Sequence, residues 1–134
     1  MGLFKKCNEK YGKYIYFVFR VLVGALFLQH GLQKLFGGLG GSASPLLSLM
    51  GLAGLIEFAV GLGLVFGVFT RLAAVGGALE MLVAYFMVHW PQGLVPLQNQ
   101  GELALLYLAA FLALKVYGSG IWSLEKQLLG KETF

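Results

Sequence analysis

Cysteine and charge are both scarce in this chain, and each shortage closes off a class of function. Cys7 is the single cysteine, so an intrachain disulfide, a Cys-x-x-Cys redox pair and a four-cysteine cluster site are all excluded. In its basic surroundings Cys7 reads as a plain reduced cytosolic thiol. Only 12% of the 134 residues are charged, while 58% are hydrophobic. A soluble domain of this size could not hide so much apolar surface, and long uncharged runs of Gly, Leu, Val, Phe and Ala read instead as membrane spans. No flavin, nicotinamide or iron–sulfur motif is present. The histidines and glutamates have no tight ligand spacing, which speaks against a metal site and against haem held by His30 and His89.

What the chain does have is apolar segments of membrane-crossing length. Spans are expected at about residues 14–36, 46–69, 72–88 and 102–117. The fold class is therefore an all-α membrane protein, a four-helix transmembrane bundle. Residues 1–13 form a basic tail, 14–117 the bundle and 118–134 a second tail. Pro45 suits the first turn of the second helix. The basic start followed by an apolar stretch has the outline of a signal peptide. The run is too long for one, and no small-x-small site closes it, so it is kept as a span.

The net charge of +4 comes largely from the tails. Lys5, Lys6, Lys10 and Lys13 precede the first span, Arg71 lies in the short turn after the second, and Lys126 and Lys131 follow the fourth. The loop after the third span has neither Lys nor Arg. Basic residues stay inside, so both termini are expected in the cytoplasm of a cell-membrane protein. The basic tails imply contact with the bilayer and its anionic headgroups, not with nucleic acid.

Charged residues and a histidine break the apolar runs, and a charge at the centre of a membrane helix costs roughly 3 kcal/mol or more. Arg20, His30 and Lys34 share one face of the first helix at 100° per residue. Glu57 and Glu80 are each flanked by small residues, as closely packed membrane helices require. Sequence distance puts Arg20 and Glu80 at similar depth, so they are expected to pair and fix helix register. His30, Lys34, Glu57 and Glu102 are expected to gather at the other end as a candidate catalytic or binding cluster. His89, at the water boundary, reads equally as interface anchor or ligand.

In order and spacing, Arg20…His30-Gly31…Lys34-Leu35-Phe36-Gly37, Glu57-Phe58…Gly61…Gly67…Thr70-Arg71, Glu80-Met81-Leu82-Val83-Ala84 and Asn99-Gln100-Gly101-Glu102 resemble the DoxX family of small four-helix membrane proteins. Gly118-Ser119-Gly120-Ile121-Trp122-Ser123-Leu124-Glu125 resembles the family's closing stretch. Gln100 stands where the family's Asn-Gly-Gly-Glu has glycine, and Glu125 where it closes on Asp. The resemblance adds Asn99 as a further ligand candidate. It implies redox work in the membrane, with quinone as the reaction partner and a soluble oxidoreductase or sulfurtransferase as protein partner. Lys34 and His30 would donate hydrogen bonds to a quinone carbonyl, and Glu57 or Glu102 would move the accompanying proton. The alternative is a non-enzymatic scaffold, chaperone or small transporter that holds a partner helix, an anion or a lipid in the same cleft. A homo-oligomer is compatible with either.

Overall fold

The first helix begins well before the apolar run does. A computed structural model describes residues 2–133, helical with no strand among them, and in it α1 runs unbroken from Leu3 to Phe36. Lys5, Lys6, Lys10 and Lys13, assigned above to a basic tail, therefore lie on the opening turns of that helix. Lysine and glutamate are good helix formers, and no proline interrupts them. At 1.5 Å per residue α1 is about 50 Å long, more than the ~30 Å of hydrocarbon it would cross. It stops at Gly37, whose φ of 67° places it in the left-handed region open to glycine.

Helix α2 spans Leu49–Phe66, three residues inside the expected segment at each end. Pro45 opens a turn and not the helix. Ser48 is the cap, its Oγ accepting from the Gly51 N–H at 3.0 Å. Helix α3 spans Thr70–Ala84 and passes straight into a π-helical turn, Tyr85–His89, and a 3₁₀ turn, Trp90–Gln92. Helix α4 spans Glu102–Tyr117, as expected, and a short α5 covers Leu124–Leu129.

Among the described residues, three helical stretches are long and apolar enough to cross a membrane: Phe4–Phe36, Leu49–Phe66 and Thr70–Gln92. Helix α4, with 16 residues, is shorter than these. The outward surfaces of all four helices stay apolar, with Leu22, Leu55, Leu79 and Leu106 exposed. In water such a surface would drive aggregation; in lipid it is the favoured exterior.

Helices α1 and α2 pack most closely, and α4 packs on α3. A Cβ on Gly31 would run into the backbone of Phe58, so only glycine allows that approach. Between α2 and α3, which run antiparallel, Gly76 faces Val60. The core lies where the two pairs meet: Phe27 meets Phe111 edge-on at 4.8 Å between ring centroids, with Leu64 and Leu114 fully buried beside them.

The expected Arg20–Glu80 pair is not formed. Arg20 is fully buried, and its guanidinium instead donates to three backbone carbonyls: Ser119, Ile121 at 3.2 Å and Trp122 at 3.0 Å. Gly118, Gly120 and Trp122 all have positive φ, a winding that turns successive carbonyls inward. The residues expected to form a second tail thus fold back under the bundle. Ser123 Oγ donates to the Gly67 carbonyl at 2.7 Å, and Glu125 Oε2 accepts from the Phe69 N–H at 3.0 Å. Arg71 closes the end of α4 by donating to the carbonyls of Lys115 and Val116, both at 2.8 Å.

Replacing Arg20 by Met would leave these carbonyls unpaired in a dry interior. The expected loss is roughly 3 kcal/mol in detergent unfolding, with trypsin cutting faster at Lys126 and Lys131. Unchanged unfolding and unchanged cleavage would show that the arginine does not hold the segment.

Candidate functional site

At the end of the bundle opposite Arg20, the last turn of α1, the middle of α2, the π-helical turn and the start of α4 surround a cavity of about 200 Å³. Its polar lining is His30, Lys34, Glu57, His89, Gln100 and Tyr107, set among Phe27, Met81 and Ala84. Four of the residues expected there, His30, Lys34, Glu57 and His89, are thereby brought together.

Lys34 and Glu57 are the central pair. Lys34 Nζ donates to Glu57 Oε1 at 2.6 Å, and the carboxylate side chain is only 4% exposed. Gly54 permits the approach, because its missing Cβ would stand 2.8 Å from Lys34 Cβ, one turn from Glu57. An ammonium carries three donors, so this bond leaves two N–H groups for an occupant of the cavity. Glu57 Oε2 is buried and has no hydrogen-bond partner among the described residues.

His30 sits edge-on to Tyr107 with ring centroids 6.1 Å apart. Tyr107 is buried and stacks on Phe111 at 5.9 Å. His89 reaches the cavity because its turn is π-helical. The five-residue step from Ala84 to His89 replaces the usual four, leaving Val88 exposed and turning the imidazole inward. Its Nδ1 lies 2.9 Å from the carbonyl of Asn99, and a carbonyl only accepts, so Nδ1 carries the proton. In neutral His89 this leaves Nε2 as an acceptor.

Two expected members stand elsewhere. Glu102 is exposed at the first position of α4, where a carboxylate complements the helix dipole, and it does not line the cavity. Asn99 is fully buried, but its side chain serves the loop: Nδ2 donates to Gly93 O at 2.7 Å and Oδ1 accepts from the Gly101 N–H at 2.8 Å. It braces the carbonyl that holds His89.

Glu80, freed from the expected arginine, belongs at this end. It stands one turn beyond Gly76, and Glu57 stands one turn beyond Val60 in the antiparallel neighbour, so the Gly76–Val60 contact sets the glutamates at one level. The electrostatic neighbours of Glu80 are Glu57 and Lys34; those of Glu57 are Lys34 and His30. Sequence reasoning missed Tyr107. Its signal was the Ala104, Tyr107, Phe111 and Leu114 stripe, the buried face of α4, which carries a single hydroxyl. Among the described residues no group of three or more His, Cys, Asp or Glu comes together in a way that would hold a metal ion.

Comparison with known proteins adds a family. The family model described as DoxX matches residues 15–90, which carry Arg20, His30, Lys34, Glu57, Glu80 and His89. A protein of Haemophilus influenzae, named only as an uncharacterized protein, is 36% identical over 133 residues, covering 92% of this chain and 97% of that one. No solved structure matches the chain.

The pair itself is open to measurement. Lys34→Met strands the Glu57 charge and is expected to cost about 3–5 kcal/mol, whereas Lys34→Met with Glu57→Leu recovers more than half of it. Detergent unfolding of both single variants and the double variant checks this; strictly additive losses would mean that the two groups are not coupled.

Proposed function

The chain belongs to the DoxX family and is a membrane protein, and from that premise we propose that it is a quinone-interacting subunit of a membrane redox system. The observation that carries the reading is the cavity of about 200 Å³ that gathers Lys34, His30, Glu57 and Tyr107 between aromatic walls. These groups suit a planar ring bearing carbonyls. Lys34 has two N–H groups to spare beyond its bond to Glu57, and His30 offers a ring donor from the next turn of the same face. Phe27 and Tyr107 supply ring faces. The unpartnered Glu57 Oε2 is placed to hold or move a proton at the occupant's oxygen. A quinone, when bound, supplies two-electron, two-proton chemistry. The residues' share is to bind its head group, orient it and manage protons, with electrons coming from a soluble oxidoreductase partner or from an oxidisable substrate such as thiosulfate.

The reading is tested by titrating purified protein with a short-chain ubiquinone or menaquinone analogue. His30→Ala and Lys34→Ala are each expected to weaken binding at least about tenfold, the worth of one good hydrogen bond. Equal binding by all three proteins, or no binding by any, would overturn it.

A second reading is a scaffold or small transporter that binds a partner helix or a lipid without redox chemistry. It is favoured by a larger groove of about 660 Å³ between α2 and α3, lined by apolar and small residues such as Ala59, Gly63, Leu72 and Gly76. Pull-down from native membranes separates the two, since a redox subunit brings an oxidoreductase with it.

The proposal includes topology: four spans, α4 among them, with both termini cytoplasmic. Arg71 bonds the end of α4 beside Lys115, and Lys126 sits close by on α5, so basic residues crowd the Arg20 end. Among the described Lys and Arg residues, Lys34 alone lies at the other end. A helix of 16 residues covers about 24 Å, short of the ~30 Å core, so it stands nearly upright. The single Cys7 is exposed and reports the sidedness. A membrane-impermeant maleimide is expected to leave Cys7 unlabelled in intact cells and to label it in inverted vesicles. The reverse pattern would invert the topology.

A further inference from the structure

Charge around the cavity leaves one carboxylate over. Lys34, from α1, is the only ammonium among the described residues at this end, and Glu57 Oε1 already takes one of its hydrogens. His30 comes from the same helix, His89 from the π-helical turn, and Tyr107 faces Glu57 from α4. Against this single fixed cation stand two carboxyl groups, Glu57 and Glu80. Three of their four oxygens, Glu57 Oε2 and both of Glu80, are shielded from solvent without a hydrogen-bond partner among the described residues. The Gly76–Val60 contact sets the two side chains level on facing helices. A bare carboxylate without donors does not persist in such surroundings. A small cation would want five or six oxygens, whereas the helical carbonyls here are spent in their own ladders. One proton satisfies the geometry, since a protonated carboxyl gains a donor that the facing carboxylate lacks.

We propose that Glu57 and Glu80 are a proton-exchanging pair within the membrane, in which Glu80 carries the proton and Glu57, held by Lys34, is the base that receives it. In the exchange the Glu80 O–H bond breaks and leaves its electron pair on the Glu80 oxygen. A new O–H bond forms at Glu57 Oε2, directly or through one water. The pair keeps one negative charge throughout, balanced by Lys34, and no oxidant or reductant takes part. Glu57 lines the cavity and Glu80 does not, so the pair hands a proton through Glu57 to whatever occupies the cavity. This assignment rests on the carboxylates and not on the quinone reading; failure of quinone binding leaves it standing.

The experiment uses the full chain in lipid nanodiscs and dicyclohexylcarbodiimide, which modifies protonated carboxyl groups in apolar surroundings. The modified residues are read by peptide mass spectrometry over a series of pH values. Wild-type protein is expected to carry the adduct on Glu80, fading as pH rises, and Glu80→Gln to lose it. Glu57→Gln releases Lys34 to pair with Glu80, so labelling of Glu80 should fall by about tenfold although Glu80 itself is intact. Lys34→Gln removes the only fixed cation, and both Glu57 and Glu80 should then be modified. Absence of a Glu80 adduct in folded wild-type protein at every pH, or equal labelling of Glu80 in wild type and Glu57→Gln, would overturn the assignment. If Glu57→Gln does not fold, the wild-type series and Lys34→Gln decide it.

Discussion

A guanidinium buried where water is absent has to find acceptors in the protein, and Arg20 finds them in a stretch of chain about a hundred residues away. That requirement organises one whole end of the molecule. Three carbonyls turn toward one side chain because Gly118, Gly120 and Trp122 adopt left-handed backbone angles. Glycine adopts such angles freely; Trp122 does so with its ring packed edge-on against Phe17 at 4.7 Å. Phe17 also lies under the guanidinium, 5.2 Å from the ring centroid. With this stretch anchored, Ser123 and Glu125 reach the turn between α2 and α3. One arginine on α1 thus ties together the ends of α2, α3 and α4.

The opposite end is built differently. There the charged groups bond to one another across helices, and some of their capacity is left open. Lys34 and Glu57 satisfy each other in part, while buried oxygens on Glu57 and Glu80 have no hydrogen-bond partner among the described residues. The Arg20 end leaves only the guanidinium Nε and the hydroxyls of Thr70 and Ser119 without partners among the described residues, whereas the other end leaves carboxylate oxygens open, which is the pattern expected where chemistry is kept.

Both ends depend on how closely the helices approach. In lipid there is no hydrophobic drive between helices, so contact depends on small residues and on polar bonds. Gly31 brings α1 onto the backbone of α2, and Gly54 lets Lys34 lie flat enough to meet Glu57. The π-helical turn supplies the remaining adjustment, rotating His89 into the cavity while Asn99 pins its ring through a backbone carbonyl.

Much of this was legible in the residues themselves. Hydropathy, helical period and capping are local properties, so composition and spacing by themselves determined an all-helical membrane protein, its apolar segments to within a few residues, and the face shared by Arg20, His30 and Lys34. The resemblance carried by those motifs determined the family. Partner choice was not legible, because it depends on the register of antiparallel helices and on where an irregular segment folds back. Depth alone made Arg20 and Glu80 look like a pair. Only the tertiary structure decided that the arginine takes the carbonyls of the closing stretch, whose backbone angles no periodicity announces. Only the tertiary structure, likewise, set Glu80 level with Glu57, left Glu102 in the open, and brought Tyr107 to the cavity, since each of these follows from one helix's rotation and slide against another.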